Sequence, residues 1–248
     1  MDLLAVQGIT KRYSSFTLQD ISFSLPQGKI MGFIGKNGAG KTTTLKSILN
    51  MVKLDAGTTQ MFGLNYYENE QRCKQEIGVV LGEIDFYKQK KLFSITDVTK
   101  RFYRAWDDTA YCKYMDAFAL DPQKRVKELS SGMKVKYMLA LALSHHAKLF
   151  ILDEPTSGLD PVSRNDLLGL FRQLVKSGER SILFSTHITT DLEKCADLVT
   201  YIKDGKLLKS AETTEFIESF SFLKTLGETA PLSIDEIMVR TEKVIYDV

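Results

Sequence analysis

The chain predicts an α/β fold: a mainly parallel sheet flanked by helices, with an antiparallel β layer beside it and a helical insertion within it. Three observations carry this. Short apolar runs at KIMGFIG (29–35), IGVVL (77–81), KLFILD (148–153) and RSILFST (180–186) have the length and composition of strands buried on both faces. Helical patterns stand between them, as in a parallel sheet covered on both sides. The first thirty residues instead alternate apolar and polar positions, in LLAVQGI (3–9) and TLQDISFSL (17–25), as strands with one solvated face do.

Taken in order, LPQG (25–28) is the turn that closes the opening strands. KIMGFIG ends in Gly, and KTTTLKSILNMV (41–52) reads as the helix that follows. IGVVL is the next buried strand. Residues 84–145 hold few β-branched runs and several helical faces: Ile95, Val98, Phe102 and Trp106 keep helical spacing, as do Tyr111, Met115 and Phe118. MKVKYMLALALS (133–144) is a further helix behind ELSSG. After KLFILD comes VSRNDLLGLFRQLVKSG (162–178), a helix stopped by Gly, then RSILFST. LVTYIKDGKLLK (198–209) reads as a hairpin turning at DG. Two more helices, 212–220 and 233–243, flank TLGETAPLS. The expected division is therefore 1–83 and 146–210 for the core, 84–145 for a helical subdomain, and 211–248 for a C-terminal extension.

Composition narrows the function classes. At 248 residues and 44% hydrophobic, the chain can bury a sizeable core. A net charge of +2 gives no ground for a nucleic-acid or membrane-surface partner. Cys73, Cys112 and Cys195 are odd in number and lack metal-ligand spacing, so neither a disulfide framework nor a metal site is expected, and a reducing cytosol fits. MDLLAVQGIT carries an acid at residue 2 and no long apolar core, unlike a signal peptide. The longest apolar stretches, such as LALAL (139–143), are far too short to span a bilayer. If the protein serves a membrane process, another chain must supply the spans.

GKNGAGKT (35–42) fits G-x-x-x-x-G-K-[ST] in full, between a strand and a helix. Gly35, Gly38 and Gly40 let the backbone curl so that successive N–H groups, Asn37 and Thr43 among their residues, collect phosphate oxygens at a helix N-terminus. Lys41 can reach the β- and γ-phosphates, and Thr42 offers its hydroxyl to Mg²⁺. LFILDEPTSGLD (149–160) supplies the acids. Successive strand side chains point opposite ways, so Asp153 and Glu154 should divide the work: Asp153 for Mg²⁺, Glu154 for the attacking water. His187, after ILFST, can contact the γ-phosphate or order that water; read alone it would be a solvent-facing strand end. His145 and His146 are left to that plainer role. ELSSGMK (128–134) is a second anion cradle, with Ser130 and Ser131 where a helix N-cap belongs; read alone it would be an ordinary cap.

GKNGAGKTT, LSSGM, ILDEPTSGLD and STH stand in an order that resembles the Walker A, signature, Walker B with D-loop, and H-switch motifs of ABC-type ATPases, P-loop NTPases. The likeness covers about residues 1–210. It implies ATP hydrolysis with Mg²⁺ by two ABC ATPase subunits, identical or not, packed head to tail. Ser130, Ser131 and Gly132 of one would close on the nucleotide in the P-loop of the other. It implies adenine stacking by Tyr13, and contact across the pair by Asp160. LSSGM departs from the usual LSGGQ, and Gly82 and Glu83 stand where a Q-loop Gln is expected, so Glu83 is the candidate to face the metal through water.

The ending LSIDEIMVRTEK and the Gln-less Q-loop resemble the bacterial drug- and antibiotic-export branch. That implies integral membrane permease partners and a place on the cytoplasmic face of the cell membrane. Nine of the chain's 25 aromatics lie between residues 86 and 118, in the insertion where the family docks its membrane partner, although they serve equally as a local core. A soluble ABC ATPase acting on nucleic acid, ribosomes or iron–sulfur assembly is the alternative; the long heptads, zinc modules and second ATPase half of the first two kinds are missing, and no nucleic acid is expected.

Overall fold

The structure, a computed structural model, describes residues 1–81, 87–225 and 228–243. In chain order it runs β1 (Asp2–Arg12), β2 (Thr17–Pro26), β3 (Ile30–Ile34), α1 (Lys41–Ile48), β4 (Ala56–Met61), β5 (Leu64–Asn65), α2 (Glu70–Lys74) and β6 (Ile77–Leu81). Then come α3 (Leu92–Thr99), α4 (Asp108–Ala117), α5 (Ser131–Ser144), β7 (Leu149–Asp153), α6 (Pro161–Val175), β8 (Ser181–Thr186) and α7 (Thr189–Cys195). The chain closes with β9 (Leu198–Lys203), β10 (Lys206–Glu212), α8 (Thr213–Ser219) and α9 (Ile234–Lys243).

The strands form one mixed sheet in the order β5-β4-β1-β2-β10-β9-β3-β8-β7-β6. Its first four strands are antiparallel, and β9-β3-β8-β7-β6 are parallel. The hairpin β9–β10 joins the two regions, because β10 runs antiparallel to β9 and meets β2 at Lys206↔Gln19. The expected parallel sheet with an antiparallel layer is therefore present as one continuous sheet.

The core follows the period of two in each parallel strand. Ile30 and Ile34, Phe150 and Leu152, and Ile182 and Phe184 face the helices α5 to α9. Met31 and Phe33, Leu149 and Ile151, and Leu183 face α1 and the antiparallel strands. Each of these side chains is at most 1% exposed, and burying one contributes roughly 1.5–3 kcal/mol. Both faces being covered is why these strands read as unbroken apolar runs.

Several expectations change. The helix after the P-loop stops at Ile48 rather than residue 52. The strands β4 and β5 extend the antiparallel layer without having shown a strand signal. Ile95, Val98, Phe102 and Trp106 do not share one helix: α3 ends at Thr99, a 3₁₀ turn spans Lys100–Phe102, and Val98 and Phe102 are 54% and 71% exposed. Tyr111 and Met115 do share α4, packed on the core, with Phe118 at its C-cap.

His145 is not a solvent-facing histidine. It is buried at the end of α5, its ring stacked on Tyr103 at 3.7 Å and its Nδ1 3.0 Å from the Gln75 carbonyl. Opposite a carbonyl, Nδ1 must be the donor. Desolvation by burial lowers its pKa from the ordinary 6.5 to about 4. The Gln75 side chain also donates to the Phe102 carbonyl and accepts from the Arg104 amide. These bonds fasten the helical segment to the sheet at α2.

Candidate functional site

The site lies at the carboxyl edge of the parallel strands, where open α/β sheets bind ligands. Register puts Ile34 beside Thr186 and Asp153 beside Ser185, so the segments after β3, β7 and β8 leave the sheet together.

After β3 the chain curls tightly. A Cβ on Gly35 would be driven into the Ile202 carbonyl oxygen, and one on Gly40 would stand 2.8 Å from the Phe16 ring. Only glycine permits that approach; Gly40, at φ 111, also needs glycine's conformational freedom. α1 then starts at Lys41 with no side-chain cap, so its first N–H groups stay available to an anion. Lys41 is folded back into the loop: Nζ donates to the carbonyls of Gly35 at 2.8 Å and Lys36 at 3.3 Å, and its side chain is 6% exposed.

The two acids face the start of α1. Asp153 is buried; its Oδ2 accepts from Thr42 Oγ1 at 2.7 Å and its Oδ1 from Ser185 Oγ at 2.5 Å. Glu154 does not continue the strand geometry, for its φ is 49°, in the left-handed region. That conformation costs a non-glycine residue on the order of 1–2 kcal/mol. Its amide is held by Ser185, donating to Oγ at 2.9 Å and to the carbonyl at 3.2 Å. Alternation would turn the two carboxylates apart; the left-handed residue swings the second back to the loop. Glu154 Oε1 is then 3.3 Å from Lys41 Nζ and Oε2 is 2.8 Å from His187 Nδ1. Asp153 and Glu154 thus meet different partners, Thr42 with Ser185 and Lys41 with His187, and strand alternation is not what separates them.

These groups border a pocket of about 340 Å³ lined by Phe16, Lys36, Asn37, Gly38, Gly40, Lys41, Thr42, Thr43 and Glu154. Phe16 and Lys36 were not singled out from the sequence, although Lys36 sits inside the GKNGAGKT motif. Tyr13 occupies the same β1–β2 turn but does not line the pocket; it is 45% exposed, with Lys11 Nζ 5.7 Å from its ring centre.

The second cradle stands apart. Ser130 is the N-cap of α5, its Oγ accepting from the Met133 amide at 3.2 Å, and Ser131 opens the helix. Both serines are exposed, and neither they nor Gly132 line the pocket. A Cβ on Gly132 would rest 3.4 Å from Leu159, which places this turn beside the start of α6. Asp160 caps that helix, accepting from the Val162 and Ser163 amides at 3.0 Å, and the hydrogen bonds from Ser163 hold its carboxyl below the usual range. Glu83 and Gly82 lie outside the described residues.

A glycine-rich loop between a central strand and a helix, faced by the acids Asp153 and Glu154 at the end of β7, defines an ATP hydrolase of the P-loop class with the ABC ATPase fold. The family model described as "ABC transporter" matches residues 18–157. The chain belongs to that family, as an ATP-binding, ATP-hydrolysing subunit of such a transporter. It is 32% identical to the bacitracin transport ATP-binding protein BcrA of Bacillus licheniformis, over 84% of this chain and 69% of that one. It is 34% identical to Nod factor export ATP-binding protein I of Ralstonia nicotianae, over 87% and 68%. A solved structure described as the ATP binding subunit of an ABC transporter shares the fold with a TM-score of 0.83 at 24% identity, covering 97% of this chain and 100% of its own.

Proposed function

We propose that the chain is the ATP-driven subunit of an export system, paired head to tail with a second ABC ATPase subunit on the cytoplasmic face of a membrane, with integral permease subunits as partners. The observation that carries this is a division of parts. Lys41, Thr42 and Glu154 line one pocket, with Asp153 bonded to Thr42 and His187 to Glu154 behind them, while the exposed Ser130 turn stands outside it with its helix end turned to solvent. A chain that builds both needs a second copy, or a paralogue, to bring them together.

In that pair the loop amides of residues 35–43 and the Lys41 ammonium hold the triphosphate. Thr42 Oγ1 and Asp153 Oδ2, two hard oxygens 2.7 Å apart, fit Mg²⁺, which binds few protein oxygens besides phosphate and water. Held there, Mg²⁺ would supply positive charge that offsets the negative charge of the triphosphate. Glu154 takes the proton of the attacking water, and His187, bonded to its other oxygen, fixes the direction of the carboxylate. Ser130, Ser131 and Gly132 of the partner copy cap the γ-phosphate, and Asp160 meets that copy beside them. Tyr13, or Phe16 next to the loop, carries the adenine.

The names of the relatives support transport, and one of them export. Among the described residues no helix is long and apolar enough to cross a membrane, which agrees with spans on other chains. Tyr87, Phe93 and Phe102, 65%, 47% and 71% exposed on the segment between β6 and β7, support that segment as the face that docks the permease.

Glu154→Gln with ATP and Mg²⁺ tests the pairing. Light scattering should register twice the protomer mass with ATP and one protomer mass without it. A variant that stays monomeric at saturating ATP would sink the sandwich.

A further inference from the structure

The C-terminal helix reaches the phosphate loop. Its seat is α9, where Ile234 and Ile237 are fully buried, and its last turn rises beside the loop. Glu242 there is 17% exposed; Oε2 lies 2.8 Å from Lys36 Nζ and 3.8 Å from Lys203 Nζ, while Oε1 accepts from the Tyr201 hydroxyl at 3.4 Å. Lys203 Nζ donates to the Thr241 carbonyl at 2.9 Å as well. Lys36 belongs to the site: it is among the residues that line the pocket, and its carbonyl accepts from Lys41 Nζ and the Ala39 amide.

We infer that Glu242 is a positioning residue for nucleotide binding: its carboxylate competes with nucleotide phosphates for the Lys36 ammonium, so the C-terminal helix lowers the affinity for ATP. This rests on the loop at 35–43 being the triphosphate site. The physical case is short. An ammonium directed at a carboxylate 2.8 Å away is not directed at a phosphate, and the carboxylate adds negative potential at the mouth of a site for a polyanion. Both effects grow with the charge of the ligand. The coupling is reciprocal: a nucleotide that draws Lys36 inward loosens the end of α9 by the same factor. The Lys203 bond to the Thr241 carbonyl does not involve the Glu242 side chain, so Glu242→Gln changes the charge while leaving that anchor in place.

The test is equilibrium titration of the full chain and of Glu242→Gln with ATP, ADP and adenosine. The variant should bind ATP about two- to fivefold tighter, the range one solvent-accessible ion pair supports. The gain should be smaller for ADP and absent for adenosine, and it should shrink as salt is raised. In the wild type, ATP should speed amide exchange in the last turn of α9, and in the variant it should not. Unchanged or weaker ATP binding by Glu242→Gln overturns the inference, as does an equal gain for adenosine. A wild type that binds no ATP at all overturns instead the reading of the loop on which the inference rests.

Discussion

The Glu154 carboxylate holds the Lys41 ammonium at 3.3 Å. The group read as the water's base and the group read as the phosphate's ligand therefore neutralise each other, and an arriving phosphate must take the lysine from the glutamate. Removing the carboxylate should act in opposite directions on binding and on turnover.

Glu154→Gln keeps the side chain's shape and its contact with His187 but discards the charge. ATP affinity is expected to hold or rise, because the phosphate no longer competes with an anion for Lys41. Turnover should fall by about 10²–10⁴, the range a positioned base supplies. Nucleotide titration and phosphate release separate the two effects. Hydrolysis at the wild-type rate would remove Glu154 as the base.

Ser130→Arg places a long cation at the exposed N-cap of α5, outside the pocket lined by Lys41. The lost cap should cost about 1 kcal/mol of stability. ATP binding by a single protomer is expected to stay near wild type. Association of protomers with ATP should disappear, even in the Glu154→Gln background. Sedimentation velocity with and without ATP reads this out, and dimers formed as readily as before would show that the Ser130 turn caps nothing.

Ser185 is the residue that joins the two acids. Its hydroxyl donates to Asp153 at 2.5 Å and accepts from the Glu154 amide at 2.9 Å, in a position that is fully buried. Ser185→Ala leaves one Asp153 oxygen and the left-handed Glu154 amide with one partner fewer, at a cost of roughly 1–3 kcal/mol. The chain should melt at lower temperature, and kcat should drop by more than ATP affinity, because Glu154 is the group released. Equal losses in both would mean that Ser185 supports the fold alone.

What the sequence disclosed was local, and what it withheld was paired at a distance. The loop at 35–42, the acids after LFIL and the cap at Ser130 could be read because each is a run of neighbours whose chemistry depends on adjacent residues. Ser185 meets Asp153 32 positions away, and Lys36 meets Glu242 across most of the chain, so no local pattern announces either. β4 and β5, AGTTQM and LN, were missed because their partners in the sheet rather than their own side chains make them strands. The face at Ile95, Val98, Phe102 and Trp106 kept a helical period, but periodicity does not fix where a helix stops, and the chain leaves it at Thr99.

His145 gives the protein a pH dependence of known sign. Burial holds its pKa at about 4, against 6.5 in the unfolded chain, so between those values the unfolded state binds the extra proton. Stability contributed by the neutral ring is whole above about pH 6.5 and is lost as pH falls toward 4; a difference of this size is worth on the order of 3 kcal/mol. Desolvation is what opposes the imidazolium, in the buried position where α5 meets α2, and it outweighs the bond to the Gln75 carbonyl, which favours the charged ring. His145→Phe keeps a ring for that stack and gives up the bond to the Gln75 carbonyl, so at pH 7 it should be less stable by about 1 kcal/mol. The deficit should narrow and then reverse as the pH is lowered, because only the wild type loses stability through this group. Denaturant midpoints of both chains at pH 7, 5.5 and 4.5 measure the crossing. Parallel curves over that range would show that the buried histidine titrates no differently from an exposed one.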